Sequence, residues 1–545
     1  MFTTLLSESR TSSQNSEGMD EDESMVDGES TQHCAKLELH REIEFHTISS
    51  IISSQPNIFS AEESQTWKLL ICLFDKLPLN AILKKFDQDV AERFLRKDAI
   101  SRWLIDACAA SVNQDLLNCK TIPNRIYLHL TGRKIAAAVK ECLAGNDFRL
   151  STVLAQLAGA GSNVSVNSEG HVYSTNGLPG RVSTKKQLNV ESITYDLQLQ
   201  CQYWTNNQQF KFMNEWYQSI WKLIGGDVSQ WNEKVFIKSL DWKRTLGLFF
   251  WYSFGGQSTL KDSILQYETN FNVEVIKKPT PHYLKGNLKE TVYDINYHLL
   301  KLHEFDDYAL EEMLEPKTYS SYLDYRQSWL IGYLINLKDI RRYKDEQTID
   351  KQTMNLVLQL EMMGDWKWAV FVSLYLTNAI QREKIVRLLI SIWYPITDHS
   401  GSIYYDLLTN TDMGVSTPTK SDIYSFLVDD LSIPSIWIHE SRALKAKYGG
   451  SLLQYCICLI DSEQFELAYT TLLTKIVHSR ILTGKLKFVC KILESLPKND
   501  IPDWNIGGAI ILKYYQPVAD ACKGRYSFMD KIIPFICSRS KGVDG

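Results

Sequence analysis

Two short sequence patterns contain residue types from which metal chemistry could be built. His439-Glu440 matches the start of a zincin helix, in which a second histidine four residues after the first completes the zinc site. Ala443 stands at that position, so a zinc site is not predicted. Cys456 and Cys458 are separated by one residue, and on a helix their side chains would point about 200° apart. Two buried apolar cysteines are therefore the favoured interpretation.

Motifs for nucleotide binding and nucleophilic catalysis are incomplete or missing. Gly159 and Gly161 begin a sequence similar to a dinucleotide loop, but Val164 replaces the third glycine and no strand leads in. Neither G-x-x-x-x-G-K-[ST] nor G-x-S-x-G occurs. Four carboxylates lie close together in the sequence: Asp306, Asp307, Glu311 and Glu312. On a helix they could serve acid-base work or a metal, although a solvated acidic face is favoured.

These patterns give no positive reason to predict catalysis, a cofactor or a metal. Active sites assembled from scattered residues leave no motif, so an enzyme is not excluded by motif searches. The expectation is a chain without catalytic, cofactor-binding or metal-binding residues.

The bulk composition narrows the class of protein. The 545-residue chain can bury a large core, since 44% of its residues are hydrophobic, and its formal net charge is only -5. That charge balance does not indicate a phosphate-binding surface, so nucleic acid is not expected as a direct ligand. Eleven cysteines at irregular positions favour a reducing compartment over a disulfide framework. Because no apolar run reaches the roughly 18 residues of a membrane span, direct membrane insertion is not expected.

The chain changes character after an acidic N-terminal stretch. Residues 19–30, MDEDESMVDGES, contain too few large apolar groups to offset the entropy of ordering. Ser60 and Glu63 then fit a capping box, and Trp67 and Leu70 begin an apolar repeat at helical spacing. Similar helical signals continue almost to the end, and strand alternation is scarce. The sequence therefore predicts an all-α protein with a disordered acidic tail.

The helical signals are organised as an irregular series of helix pairs. A Gly, Ser and Asn-rich passage at 158–187 interrupts them and is long for a loop. Segments beginning at Cys142, Leu360 and Cys458 each contain a helix end, a tight turn and a new helix. Such a pair leaves apolar surface on both sides, which stacking on neighbouring pairs would cover. Because the spacings are unequal, an irregular α-solenoid is favoured over a regular array, with separate helical bundles as the alternative.

Five aromatic and apolar words follow one another in a fixed order. They are DWKR with LGL at 241–248, YLDYR with SW at 322–329, GDWKWA at 364–369, REK at 382–384, and IP, WI and ESRALKAKY at 433–448. Taken singly, each is a core helix. The first, continuing to Tyr252, is favoured as a helix buried on all sides over an exposed binding ridge. In the last, Pro434 suits the first helical turn and Gly449 can end the helix.

Together and in this order, from about Trp67 to about Pro502, the words resemble the Y-complex nucleoporins of the ninety-six kilodalton class. Members of that family are the C-terminal product of a self-cleaving precursor. The resemblance implies a structural subunit of the nuclear pore complex at the nuclear envelope, supporting pore assembly and the transport of mRNA and protein. It also implies the coat element shared with vesicle coats, a helical chain folded back on itself into trunk, crown and tail.

The same resemblance implies partners. Other helical nucleoporins of the Y complex would bind the helical surfaces. The family also carries, ahead of the helices, a β-rich segment with an aromatic-Gly-Pro word that adds a blade to a Sec-thirteen-type β-propeller. Residues 1–60 contain no such word, so binding of the propeller by this chain stays an open question at this point.

On this resemblance the chain divides into six parts. They are a disordered acidic tail at 1–36, first trunk helices at 37–160, a linker at 161–189, crown-like helices at 190–345, returning trunk helices at 346–433 and tail helices at 434–545. The crown would dock another helical nucleoporin, and the tail would meet the hub of the Y-shaped complex. Nine aromatic residues are candidate core or interface anchors: Trp242, Trp251, Tyr322, Tyr325, Trp329, Trp366, Trp368, Trp437 and Tyr448.

Two rival functions follow from the same sequence. A vesicle-coat subunit would share the coat element, and proline-rich arms would favour it, but only 14 prolines are present. An enzyme with an unrecognised site on a helical scaffold would need a cleft with convergent groups of shifted pKa. Because neither rival has a positive signal, the sequence predicts a non-catalytic scaffold.

Overall fold

The computed structural model describes a chain made almost entirely of helices. The described residues are 9–11, 36–41, 43–54, 59–78, 88–160, 164–166, 172–174, 184–226, 231, 237, 240–253, 258–284, 292–319, 321–402, 421–483, 486–498, 501–513 and 515. Among them, strands form only two short antiparallel pairs. The prediction of an all-α protein is confirmed.

The described residues separate into two compact units. The first contains those from 41 to 344, and the second contains those from 2 to 40 together with those from 345 onwards. No helix in the described part of the chain combines the length and the apolar character that crossing a bilayer requires.

One strand pair belongs to the second unit. Strand β1 (Ser9–Thr11) pairs with β2 (Leu37–Leu39), and the Leu37 N–H donates to the Leu374 carbonyl at 3.1 Å. Leu37 and Leu39 are buried, which explains why a short strand forms beside the acidic stretch. Strand β1 therefore lies within the expected disordered tail, 1–36, most of which lies outside the described residues.

The other strand pair lies in the stretch expected to be a linker, 161–189. Strand β3 (Val164–Val166) pairs with β4 (Val172–Ser174) in antiparallel register. The following helix begins at Thr184, inside the same stretch. This stretch therefore contains regular structure that its Gly, Ser and Asn content did not predict. Two valines flank a serine in β3, and β4 begins with a valine and a tyrosine.

Thirteen described helices form the first unit. They are α1 (Phe45–Ser54), α2 (Ala61–Phe74), α3 (Gln88–Asn118), α4 (Ile122–Thr131), α5 (Ile135–Ala144), α6 (Phe148–Ala160), α7 (Thr184–Asn206), α8 (Glu215–Ile224), α9 (Trp242–Tyr252), α10 (Leu260–Asn272), α11 (Ile295–Glu304), α12 (Leu310–Met313) and α13 (Tyr325–Leu337). The predicted capping box is confirmed at α2, where Ser60 and Glu63 each accept the other's backbone N–H. Trp67 and Leu70 of α2 are buried as its apolar repeat predicts.

In the first unit, successive helices pack on one another and later helices then pack back onto earlier ones. From α1 to α8, each helix packs on the next along the chain. Helix α8 then lies against α4, α9 lies against α3 and α4, and α11 lies against α2. The chain of this unit is therefore folded back on itself, with later helices covering the apolar sides of earlier ones.

Nine described helices form the second unit. They are α14 (Glu346–Met362), α15 (Trp366–Ser373), α16 (Ala379–Trp393), α17 (Asp422–Ser425), α18 (Ser435–Tyr448), α19 (Leu452–Asp461), α20 (Phe465–Thr471), α21 (His478–Leu482) and α22 (Leu486–Ser495). Two π-helical stretches, Phe426–Asp430 and Leu472–Val477, continue α17 and α20. Packing runs mainly between neighbours: α14 on α15, α15 on α16, α16 on α18, α18 on α19 and α19 on α20. This order is typical of a solenoid, as the unequal helix pairs predict.

Candidate functional site

Helix α9, which carries the first word, is buried on nearly all sides. Asp241 caps it by accepting a hydrogen bond from the Arg244 N–H at 2.9 Å. Trp242 and every side chain from Arg244 to Tyr252 are buried. The interpretation of α9 as a helix buried on all sides, rather than an exposed ridge, is confirmed. Trp242 and Trp251 accordingly lie in the core of the first unit.

Polar side chains of α9 fasten it to helices far earlier in the chain. The Arg244 guanidinium is buried, pairs with the Asp115 carboxylate of α3, and donates to Thr131 Oγ1 of α4 at 2.7 Å. Trp251 Nε1 donates to Ser101 Oγ of α3 at 2.9 Å. The two Arg244 Nη atoms and Trp251 Nε1 thus have polar partners, which offset much of the cost of burying them, so α9 is held in one register.

A similar side-chain hydrogen bond joins α13, the last helix of the first unit, to α2. Buried Trp67 of α2 donates from Nε1 to Gln327 Oε1 of α13 at 2.9 Å. Asp324 caps α13 and accepts two hydrogen bonds from Arg326, at 2.9 and 2.7 Å. Trp329 of the same helix is buried. The second word therefore supplies a helix cap, a hydrogen bond to α2 within the first unit and a core tryptophan.

Three of the tyrosine candidates are not buried. Tyr322 precedes α13 and is 52% exposed, and Tyr448 ends α18 and is 83% exposed. Tyr325, the first residue of α13, is half-buried. Exposed aromatic side chains at helix ends are available for contact with another protein. The role of these tyrosines as interface anchors stays a prediction.

The third word forms the turn between α14 and α15. Gly364 has a φ of +85°, a backbone conformation that favours glycine. Trp366 and Trp368 are half-buried, and the Trp368 ring lies 5.2 Å from the Phe426 ring in edge-on geometry. Both tryptophans thus contribute to packing in the second unit while keeping part of each ring accessible.

The last word places α18 across α16. Buried Trp437 lies beneath the Arg387 guanidinium, which is 4.4 Å from the ring centroid and pairs with Glu440 at 2.8 Å. Lys445 Nζ donates to the Ile392 carbonyl at 3.0 Å, near the end of α16 where carbonyls lack partners within the helix. Helix α18 therefore both covers α16 and caps it.

His439, the residue considered for zinc, instead contributes to a buried cation site. Arg442 is buried, and its Nη2 donates to His399 Nδ1 at 2.8 Å while its Nη1 lies 3.5 Å from His439 Nδ1. A ring nitrogen that accepts a hydrogen bond carries no proton. Burial, with the Arg442 charge second, lowers the pKa of His439 to about 4 and also lowers that of His399. The arrangement stabilises an arginine by neutral imidazoles.

The cysteine pair is buried, as the sequence predicts. Cys456 and Cys458 lie within α19, and Cys456 Sγ is 3.5 Å from the Ala468 carbonyl. Burial raises the pKa of Cys456 to about 12 and that of Cys458 to about 11. Because the thiolate is the reactive form, these side chains are poor nucleophiles at neutral pH.

Two clusters of acidic residues could suggest a metal site, and the structure gives each another role or position. Among the described residues, Glu44, His46 and Asp75 have donor atoms close enough to suit a metal, but Asp75 accepts the N–H groups of Phe45 and His46 at 3.1 and 2.9 Å. Asp75 therefore caps α1. The carboxylates of Asp306 and Asp307 do not lie on a helix as the sequence predicted, because residues 306–307 form an exposed turn between α11 and α12.

Sequence reasoning missed the partners of the buried polar groups. Arg244 stands 129 residues from Asp115, and Trp67 stands 260 residues from Gln327. No local spacing signals pairs so distant. A charged residue inside an apolar word, such as Arg244 or Arg442, was the available hint, because buried arginines need partners.

Comparison with known proteins agrees with the order of the words. Residues 188–445 match the family model for Nup96, nuclear protein 96. The chain is 24% identical over 439 residues to Nuclear pore complex protein Nup98-Nup96 of Drosophila melanogaster, covering 77% of this chain and 20% of that protein. It is 25% identical over 489 residues to Nucleoporin nup189 of Schizosaccharomyces pombe, covering 84% and 24%.

A third relative is Nuclear pore complex protein NUP96 of Arabidopsis thaliana. The identity is 23% over 497 residues, which covers 85% of this chain and 42% of that protein. The chain thus spans from about a fifth to about two fifths of the length of these relatives. The matched family segment contains α9, α13, α15, α16 and most of α18, the helices that carry the words described above. Residues 188–445 are thus similar to the Nup96 family of nucleoporins, and relatives that match over most of this chain are named as nuclear pore complex proteins.

Proposed function

We propose that this protein is a structural scaffold subunit of the nuclear pore complex, located at the nuclear envelope within the Y-shaped outer-ring subcomplex. The match of residues 188–445 to the Nup96 family carries the proposal. Similarity to this family favours a structural role over a catalytic one. The scaffold supports pore assembly, and with it the transport of mRNA and protein, by binding other nucleoporins.

The architecture of the first unit supports a role as a rigid scaffold. Later helices return onto α2, α3 and α4, and the return is fastened by side-chain bonds such as Trp67 to Gln327. A chain closed on itself in this way keeps its surface helices in fixed positions, which reduces the ordering cost when a partner binds. Binding through pre-formed helical surfaces is the activity that we assign to it.

We assign the six parts of the chain as the sequence predicts them. Residues 190–345 act as a crown that docks another helical nucleoporin, 37–160 and 346–433 form the trunk, and 434–545 form the tail that meets the hub of the Y complex. In the crown, Tyr322 and Leu323 project from the first unit, at 52% and 76% exposure. A Sec-thirteen-type propeller is a further candidate partner.

Affinity purification of the tagged chain from its own cells in mild salt, with mass spectrometry, tests the scaffold role. Stoichiometric recovery of Y-complex nucleoporins and a fluorescent rim at the nuclear envelope are expected. Recovery of vesicle-coat proteins would transfer the chain to the secretory pathway. The absence of any stoichiometric partner would reopen the enzyme hypothesis.

A paired variant tests the crown assignment. Tyr322→Asp places a charge on an exposed apolar position and should remove one helical nucleoporin from the purified set while the others remain. Leu117→Asp is the matched control, since Leu117 is 88% exposed on α3 and lies outside the assigned crown. Equal recovery with both variants would argue against docking through Tyr322.

A further inference from the structure

Helices α16 and α18 leave an apolar face uncovered in the second unit. On α16, Leu388 and Ile392 are 51% and 50% exposed, and on α18, Leu444 and Tyr448 are 47% and 83% exposed. In each helix the two side chains are four residues apart and therefore lie on one side of it. These four residues define the α16–α18 face.

The two helices run in parallel along their contact. Arg387 pairs with Glu440 near one end, and Lys445 bonds the Ile392 carbonyl near the other. Both helices thus advance together along the contact. The four exposed apolar side chains therefore lie on two helices that share one contact, and exposed apolar groups gathered in this way are typical of interaction sites.

A groove of about 320 Å³ adjoins this patch between α16, α18 and α19. Ser391 and Ser441 contribute small side chains to it, and Leu444 lines it as well. Tyr455 and Leu459 of α19, which are themselves buried, complete its apolar surface. Small residues between larger ones allow the side chains of a docked helix to enter.

The charged side chains around the face include two lysines that add to its positive charge. Arg387 is compensated by Glu383 at 3.0 Å and Glu440 at 2.8 Å. Lys384 and Lys447 are exposed, and neither has a carboxylate within ion-pair distance among the residues that the structure describes. Because the whole chain carries a net charge of -5, this basic rim is a local departure from the overall balance.

We propose that the α16–α18 face binds an amphipathic α-helix of another protein, with apolar side chains at i and i+4 and carboxylates on its flanks. Apolar rows spaced by four residues fit a helix laid into the groove, and flanking carboxylates would neutralise Lys384 and Lys447. A second copy of this face fits less well, because a two-fold contact would bring equal lysine rims together. The inference rests on the proposed scaffold function and names the chemistry of one partner.

Site-specific photo-cross-linking in the full chain tests the occupant. A photoreactive amino acid replaces Leu444 or Leu388 in cells, and mass spectrometry identifies the cross-linked peptide. The expected product is a segment of another protein with apolar residues at helical spacing and flanking Asp or Glu. Leu482, which is 88% exposed at the end of α21, is the matched control position and should not give this product.

Charge reversal provides the second arm of the test. Lys384→Glu with Lys447→Glu should lower the yield of that product about tenfold, the ratio for a loss of about 1.4 kcal/mol of binding. Lys384→Arg with Lys447→Arg keeps the charge and should leave the yield unchanged. Equal yields from the two double variants would overturn the charge argument.

Other cross-linking outcomes also overturn the proposal. These are cross-links to residues 403–420 or 516–545 of the same chain, to a second copy, or to a segment without carboxylates, and the absence of any cross-link. Fluorescence of the wild-type chain at the nuclear rim distinguishes failure of this inference from failure of the proposed scaffold function. A rim signal without the expected cross-link removes only this inference, whereas loss of the rim signal removes the proposed scaffold function.

Discussion

The two units hold their helices together over very different distances along the chain. In the first unit, Trp67 donates to Gln327 across 260 residues, and Arg244 reaches Asp115 across 129 residues. In the second unit, Arg387 bonds a side chain only 53 residues away. The helices of the first unit are closed by distant contacts, whereas the helices of the second form a stack of near neighbours, to which strand β2 adds one distant bond through Leu37 and Leu374.

This difference between the units predicts which of them unfolds cooperatively. Long-range contacts require the intervening chain to be ordered, so breaking one releases many residues together. In a stack, stability is approximately a sum of terms between neighbouring helices, and local opening at one end leaves the rest intact. We therefore expect the first unit to unfold in one step and the second to open progressively.

Trp67→Ala should have the largest effect and tests the closure of the first unit. The substitution removes a fully buried ring, which costs about 3 to 5 kcal/mol, and leaves buried Gln327 without its donor. Denaturant unfolding and amide hydrogen exchange measure the outcome, and protection should fall in both α2 and α13. Trp393→Ala, at a 42% exposed residue of the second unit, is the control, and an equal loss there would contradict the contrast between the units.

Acidification tests how the second unit compensates its buried arginine. The folded state holds the pKa of His439 at about 4, against an ordinary value of 6.5. The unfolded chain therefore takes up the proton first as the pH falls, so stability is complete above about pH 6.5 and declines down to about pH 4. The loss from this residue is roughly 3 kcal/mol, caused first by burial of the imidazole and second by the facing Arg442 charge.

The matched variants isolate that contribution. His439→Asn keeps a hydrogen-bond acceptor but cannot be protonated, so the decline between these pH values should become shallower in the second unit. His298→Asn is the control in the first unit, where burial lowers the pKa of His298 to about 4 as well. Unfolding curves at pH 7 and pH 5 with unchanged differences for His439→Asn would show that the imidazole does not carry the effect.

The sequence predicted the parts of this molecule that depend on local patterns. The apolar repeat through Trp67 and Leu70, the Ser60 and Glu63 capping box, and the complete burial of α9 all follow from spacing within one helix. The return of α9 onto α3 did not follow, because the Arg244 partner lies 129 residues away and no periodicity encodes it. The strand β3 was also missed, since three residues give too short a pattern to outweigh the surrounding glycines.

The candidate surfaces were predicted less well than the core, for a physical reason. A core aromatic and an interface aromatic have the same residue type, and only packing decides which one is covered. Trp242 and Tyr448 were equal candidates in the sequence, yet one is buried and the other is 83% exposed. Tyr448 is the last residue of α18, where the helix ends and packing leaves the ring uncovered.

Asp115→Ala sharpens the comparison between the two buried arginines. Removing the carboxylate leaves the buried Arg244 guanidinium with Thr131 as its hydrogen-bond acceptor, and breaking a buried ion pair costs about 3 kcal/mol at the lower end of the usual range. The lower end applies because Asp115 itself is 48% exposed. His399→Ala at Arg442 should cost less, about 1 to 2 kcal/mol, since it removes a neutral acceptor. A reversed order in denaturant unfolding would show that the imidazoles hold their arginine more strongly than the carboxylate does.

Trp366→Ala combined with Trp368→Ala should have the smallest effect and tests the local character of the second unit. Both rings are half-buried, so the pair should cost about 2 kcal/mol, less than the 3 to 5 expected for one fully buried large aromatic. The loss of hydrogen-exchange protection should be confined to α14, α15 and the π-helical stretch that contains Phe426, because Trp368 packs edge-on against that ring. Lys367→Ala between them is the control for changing the turn itself. If protection fell equally in α19 and α22, the second unit would be as cooperative as the first, and sequence distance between contacts would not determine how each unit opens.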